Sequence, residues 1–146
     1  MPLFKTINVS STTQILIWKV TESFDELLGK VVLKEKTQLR LNKMKSEMHQ
    51  RAFLSVRMLI QEIGISDFDL HYDELGKPYL DDHRYISITH SYNFASIIIS
   101  EETVGIDMEL QREKIIRIAD KFADTEFAFL DIEERTIFML CSRVKP

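Results

Sequence analysis

The stretch 85-YISITHSYNFASIIISEETVGIDMEL-110 decides how this chain folds. In 85-YISITHS-91, Tyr85, Ser87, Thr89 and Ser91 share one face of an extended chain, and Ile86, Ile88 and His90 share the other. Tyr92-Asn93 turns the chain into 94-FASIIIS-100, and Glu101-Glu102 turns it again into 103-TVGIDMEL-110. Links this short predict an antiparallel meander.

Upstream, 13-TQILIWKV-20 is rich in β-branched and aromatic residues and reads as a further strand. Between Lys43 and Ile63 the period changes. Met44, Met48, Ala52, Val56, Leu59 or Ile60, and Ile63 recur every three or four residues, which is a helix with one apolar side. Gly64 stands where that helix ends. The alternating 69-DLHYD-73 is a short strand, and 75-LGKP-78 is a turn. Downstream, 115-IIRIADKF-122 has helical spacing, and 135-RTIFMLCSRVKP-146 has no evident partner. The order β, long α, β, β, β, β, α predicts an α+β fold, with one long helix on a mostly antiparallel sheet.

Composition narrows the function classes. In 146 residues, 45% are hydrophobic and 29% charged, as in a soluble globular domain. The net charge of −4 gives no global field for nucleic acid or an acidic membrane. The exception is local: 34-KEKTQLRLNKMK-45 gathers basic residues that suit a phosphorylated small molecule. A single cysteine, Cys141, excludes an internal disulfide and favours a reducing compartment. Apolar runs such as 15-ILIW-18 are far shorter than a membrane span, so the expected setting is the cytoplasm.

The acids in 103-TVGIDMEL-110 carry the sharpest chemistry. Alternation puts Thr103, Gly105, Asp107 and Glu109 on one face, and carboxylates two apart lie about 6.5 Å apart along a strand. Such a pair suits a hard cation like Mg²⁺, although a D-x-E on an outward face is usually only solvated. His90 also carries two readings. It shares the face of Ile86 and Ile88, as a half-buried histidine would, and it stands beside Thr89 and Ser91, whose hydroxyls suit an anion. Lys77 in its Gly-Lys-Pro turn is a point charge within reach of a phosphate. Arg51 and Arg57 on the long helix are solvated or paired residues on the plain reading.

In order and spacing, 51-RAFLSVR-57, 75-LGKPYL-80, 86-ISITHS-91, 104-VGIDME-109 and 121-KFADTE-126 together resemble the 4′-phosphopantetheinyl transferase superfamily. The resemblance is to its larger, two-halved class, which primes peptide synthetases. It implies a fold of two pseudo-symmetric α+β halves with coenzyme A in the cleft between them. Residues 1–103 would form the first half, and 104–146 would begin the second. The smaller, trimeric class has its G-I-D motif near the N-terminus, unlike Gly105 here.

The implied reaction moves phosphopantetheine from coenzyme A to a serine of an acyl or peptidyl carrier protein, releasing 3′,5′-ADP. By that resemblance Asp107 and Glu109 would hold Mg²⁺ on the pyrophosphate, and Glu126 would be a further catalytic acid. His90 would contact a phosphate, helped by Thr89. Lys77 and Pro78 would line the nucleotide pocket, and Arg51 would face the 3′-phosphate. The larger class also has a W-x-x-K-E motif that this sequence lacks, so the resemblance implies a second half that is incomplete. Three expectations follow. The apolar surface of 103–110 and 114–123 would lack a partner; a homodimer would complete the cleft; and the alternative to an enzyme is a degenerate module that binds coenzyme A or carrier protein without transfer.

Overall fold

The computed structural model describes residues 3–91, 93–110, 126–132 and 135–143, with side chains as far as Asp107. Its first sheet has strands β1 (Leu3–Asn8), β2 (Thr13–Lys19), β5 (Tyr85–Ser91) and β6 (Phe94–Ser100). They lie in the order β1-β2-β6-β5 and every pair is antiparallel. Helices α1 (Phe24–Leu28), α2 (Glu35–Asn42) and α3 (Glu47–Glu62) follow β2 in the chain. A small hairpin of β3 (Leu70–Tyr72) and β4 (Pro78–Leu80) links α3 back to β5. The architecture is therefore α+β with an antiparallel sheet, as the sequence pattern predicts.

Helix α3 is shorter than its apolar spacing predicts, because Ser46 starts it. The Ser46 hydroxyl accepts the amide of His49 at 3.3 Å and caps the first turn. At the other end Gly64 takes φ +77°. Its amide donates to Gln61, and that of Ile65 donates back to Ile60. This pair of bonds is the Schellman ending that glycine permits. Residues 43–46 are thus a link between α2 and α3. The basic segment at 34–45 becomes α2, with Lys34 before it and 43–45 in the link after it.

Strand β6 is buried along its whole length, and that explains a continuous apolar run with no alternation. On one face Ala95, Ile97 and Ile99 pack with Leu16, Trp18 and the α3 residues Leu54, Leu59 and Ile60. On the other, Phe94 and Ile98 pack with Ile15, Ile17, Val104 and Ile106. Each such side chain contributes roughly 1.5–3 kcal/mol when fully buried.

That second cluster corrects the meander. Both edges of β6 are taken by β2 and β5, so the next strand cannot pair with it. Instead β7 (Val104–Leu110) lies against β5, where the Ile106 amide donates to Ser87 Oγ at 3.2 Å. It opens another sheet, of three strands ordered β7-β9-β8, with β8 at Glu126–Ile132 and β9 at Arg135–Arg143. The segment 135–143 therefore has a partner on each side, β7 and β8, both antiparallel. Val104 and Ile106 are likewise buried rather than left without a cover. The helix expected at 114–123 lies outside the described residues.

Candidate functional site

The packing of α2, α3, the β3–β4 hairpin and β5 leaves a cavity of about 590 Å³. Arg40 reaches it from α2, Lys43 and Lys45 from the α2–α3 link, and His49, Phe53 and Arg57 from α3. Tyr72, Gly76 and Pro78 come from the hairpin, and Ser87, Ile88 and His90 from β5. No carboxylate stands among these lining residues, so four fixed cations and two histidines face one space. In a molecule of net charge −4, this concentrates positive potential where apolar walls strengthen it.

The hairpin owes its shape to Asp73 and Gly76. The Asp73 carboxylate accepts the amides of Leu75 and Lys77 at 2.9 and 2.8 Å, and Gly76 has φ +82°. A turn held in this way sets Pro78 at the cavity wall. Two arginines stack on the aromatic walls. Arg40 stacks over Tyr72 at 4.1 Å, and Arg57 over Phe53 at 3.9 Å, both cation–π distances.

Arg57 differs from the other cations in being only 1% exposed. Its Nε donates to Asp67 Oδ1 at 3.1 Å, and Asp67 Oδ2 accepts the backbone amide of Lys34 at 2.9 Å. The buried pair ties α3 to the Asp67–Asp69 turn and to the start of α2. Among the described residues, Arg57 Nη2 has no hydrogen-bond partner although it is buried. An unsatisfied donor of this kind costs about 1–3 kcal/mol.

The residues singled out by sequence divide among several places. His90 and Pro78 line the cationic cavity, and the His90 ring stands 5.3 Å from that of His49. His90 is exposed, not the half-buried histidine of the plain reading. Lys77 instead lines another cavity of about 400 Å³, with Asp73, Arg84 and Thr103. Arg51 is not among the lining residues of the cationic cavity. Its Nε donates to the Glu22 carbonyl at 2.8 Å, which holds α3 to the segment after β2.

Thr89 is buried beside His90 in sequence but faces the other way, with a long hydrogen bond of 3.4 Å from its hydroxyl to the exposed Asp107. Ser87 joins the two sides. It accepts the Ile106 amide and also lines the cationic cavity. Glu109 lies two residues further along β7, paired with Phe138. Glu126 pairs with Cys141, and Cys141 with Ile106. Its backbone is therefore two strands from β7, about 9.5 Å by ordinary strand spacing, in line with Ile106 and not with Asp107.

Arg40, Lys43, Lys45 and His49 are cavity residues that motif spacing alone does not single out. The signal for the first three was the basic cluster at 34–45. Nothing in the sequence marks His49, because only the packing of α3 against β5 brings it to His90.

The fold and the cavity together define an α+β chain with a preformed cationic pocket of a size and chemistry that suit a phosphorylated small molecule. No family model matches the sequence. In an alignment of 119 positions that covers 75% of its length, the chain is 30% identical to the 4′-phosphopantetheinyl transferase gsp of Aneurinibacillus migulanus. It spans 50% of that protein. This likeness supports the superfamily resemblance carried by the motifs.

Proposed function

We propose that this chain belongs to the two-halved phosphopantetheinyl transferases and serves transfer of 4′-phosphopantetheine from coenzyme A to a carrier-protein serine. The observation that carries the reading is the meeting of His90, Pro78 and the exposed cations Arg40, Lys43 and Lys45 in one cavity, with Asp107 across the same strand. The 3′-phosphoadenosine end of coenzyme A would occupy the cavity among Arg40, Lys43, Lys45 and His49. His90 would contact the pyrophosphate, whose charge the basic rim offsets. Strand β5 carries both His90 and Thr89, and the Thr89 hydroxyl donates to Asp107 at 3.4 Å, so the Asp107 side lies one residue along the strand from His90.

Asp107 and Glu109 supply hard oxygen donors, and the exposure of Asp107 leaves room for water and phosphate oxygens beside it. That donor chemistry fits Mg²⁺, which would neutralise charge on the pyrophosphate. Asp107, Glu109 and Glu126 remain the proposed catalytic acids, and Arg51, Lys77 and Thr89 supporting residues of the coenzyme site. In the reaction the serine oxygen forms a bond to the phosphorus that carries pantetheine. The bond from that phosphorus to the bridging oxygen breaks, 3′,5′-ADP leaves with the electron pair, and the serine gives up its proton. Such chemistry needs mainly positioning and charge neutralisation. A cytoplasmic setting and an acyl or peptidyl carrier protein as partner belong to the same proposal, as does a homodimer.

A second reading, binding of coenzyme A or carrier protein without transfer, is favoured by the position of Glu126, two strands from β7. Labelling of an apo carrier protein with fluorescent coenzyme A separates the two. Mg²⁺-dependent label that disappears in Asp107→Ala supports the enzyme. Coenzyme A binding without label supports the module, and absence of coenzyme A binding in a calorimetric titration with Mg²⁺ sinks both.

A further inference from the structure

We propose that Arg57 is the residue by which the cavity reads the base of its nucleotide, through a hydrogen bond from Nη2 to a ring nitrogen. The inference rests on the nucleotide reading of the cavity and goes beyond it, since that reading uses only the exposed cations. Arg57 is 1% exposed, lines the cavity, and presents a buried N–H without a partner among the described residues.

Charge decides what kind of acceptor suits that donor. The guanidinium is already balanced by Asp67 at 3.1 Å, so the pair is neutral as a whole and offers little to a phosphate. A phosphate also keeps its hydration more cheaply among exposed cations, and Arg40, Lys43 and Lys45 are all exposed. The surroundings of Arg57 are the opposite: Phe53 lies under the guanidinium at 3.9 Å and Tyr72 at 5.8 Å, with Val56 and Ile88 also lining the cavity. Aromatic and aliphatic walls with one fixed donor match a planar, neutral heterocycle that carries a lone pair in its plane. The Asp67 bond, the Phe53 stack and burial also fix the guanidinium, so its direction is set before any ligand arrives. A site built on a fixed donor rejects a ligand without the matching acceptor far more strongly than an apolar wall rejects an extra atom.

The experiment titrates adenosine 3′,5′-bisphosphate and inorganic pyrophosphate against wild type and Arg57→Lys by calorimetry, with thermal melts of both proteins. Lysine keeps a positive charge beside Asp67 but lacks the planar fork. The expected result is about tenfold weaker binding of the adenosine ligand with pyrophosphate binding unchanged. Equal weakening of both ligands, or of neither, overturns the assignment while leaving the nucleotide cavity in place. No binding of the adenosine ligand by the wild type overturns both. A second measurement needs no variant and holds if Arg57→Lys does not fold. Among the 1-, 3- and 7-deaza forms of the adenosine bisphosphate, each with a ring nitrogen replaced by C–H, one binds wild type about tenfold more weakly than the parent. If all three bind as the parent does, Arg57 reads no ring nitrogen.

Discussion

The two sides of β5 carry opposite chemistry. On the α3 side, His90 and Ile88 look into a cavity lined with cations, with no carboxylate among its described lining residues. On the β7 side, Thr89 meets the carboxylate of Asp107. Neighbouring residues of one strand are thus assigned to an anion site and to the region of a hard-cation site by nothing more than the alternation of an extended chain. The two regions also differ in what holds them. The cationic side depends on a buried ion pair, Arg57–Asp67, whereas Asp107 on the other side is exposed and accepts a long hydrogen bond from Thr89. The residue that builds one site and the residue proposed to work in the other are both aspartates.

The largest effect follows from that difference. Asp67→Ala leaves the buried Arg57 guanidinium uncompensated and is expected to cost about 3–5 kcal/mol of stability, measured by urea unfolding. Asp107→Ala is expected to stay within about 0.5 kcal/mol of wild type, as for exposed sites, while removing Mg²⁺-dependent transfer. Equal stability losses in the two variants would break the comparison, because both acids would then be structural.

Next in size is the cationic rim. Arg40→Ala removes one cation and the stack on Tyr72, and it is expected to weaken adenosine 3′,5′-bisphosphate about tenfold, or about 1.4 kcal/mol. Because the rim is exposed, its contribution is expected to fall as salt is raised, and the variant should show a shallower salt dependence than wild type in the same titration. Unchanged affinity at low salt would remove Arg40 from the site.

The pattern of apolar residues made the α3 helix and the β5–β6 hairpin legible, because each has local punctuation: Gly64 for the helix end, Tyr92-Asn93 for the hairpin. The Ser46 cap at the helix start escapes that pattern, which carries the helix back to Lys43 instead. The basic cluster at 34–45 likewise announced a phosphate-friendly surface before α2 gave it a shape. What failed was non-local. Nothing in 103–110 indicates that β6 already has two neighbours, and nothing in 135–143 indicates that its partner is β7. Pairings between distant segments depend on which strand edges the rest of the fold leaves open, and no window of sequence contains that information. The same reason hid the meeting of His49 with His90 and the separation of Thr89 from His90. Arg51 and Lys77 show a complementary point: a motif fixes a backbone position, while the side chain goes where local bonds take it, for Arg51 to the Glu22 carbonyl.

The smallest effect comes from a third aspartate, which tests whether pairing alone makes such a residue structural. Asp82 Oδ2 meets Arg84 at 2.7 Å on an exposed turn. The hydrogen bond from Arg84 holds its carboxyl below the ordinary value of 3.8. A lowered folded-state pKa means that the pair stabilises the fold above the unfolded value and loses this contribution as pH falls through the folded one. Both partners are solvated, so the contribution is that of a surface pair, and Asp82→Asn is expected to lower the melting midpoint at pH 7 by no more than about 2 °C. Below the folded-state pKa of Asp82 the wild type has lost the same charge, and the two proteins should melt together. A large loss at pH 7 would show that an aspartate need not be buried to build this fold, and would blur the line drawn between Asp67 and Asp107.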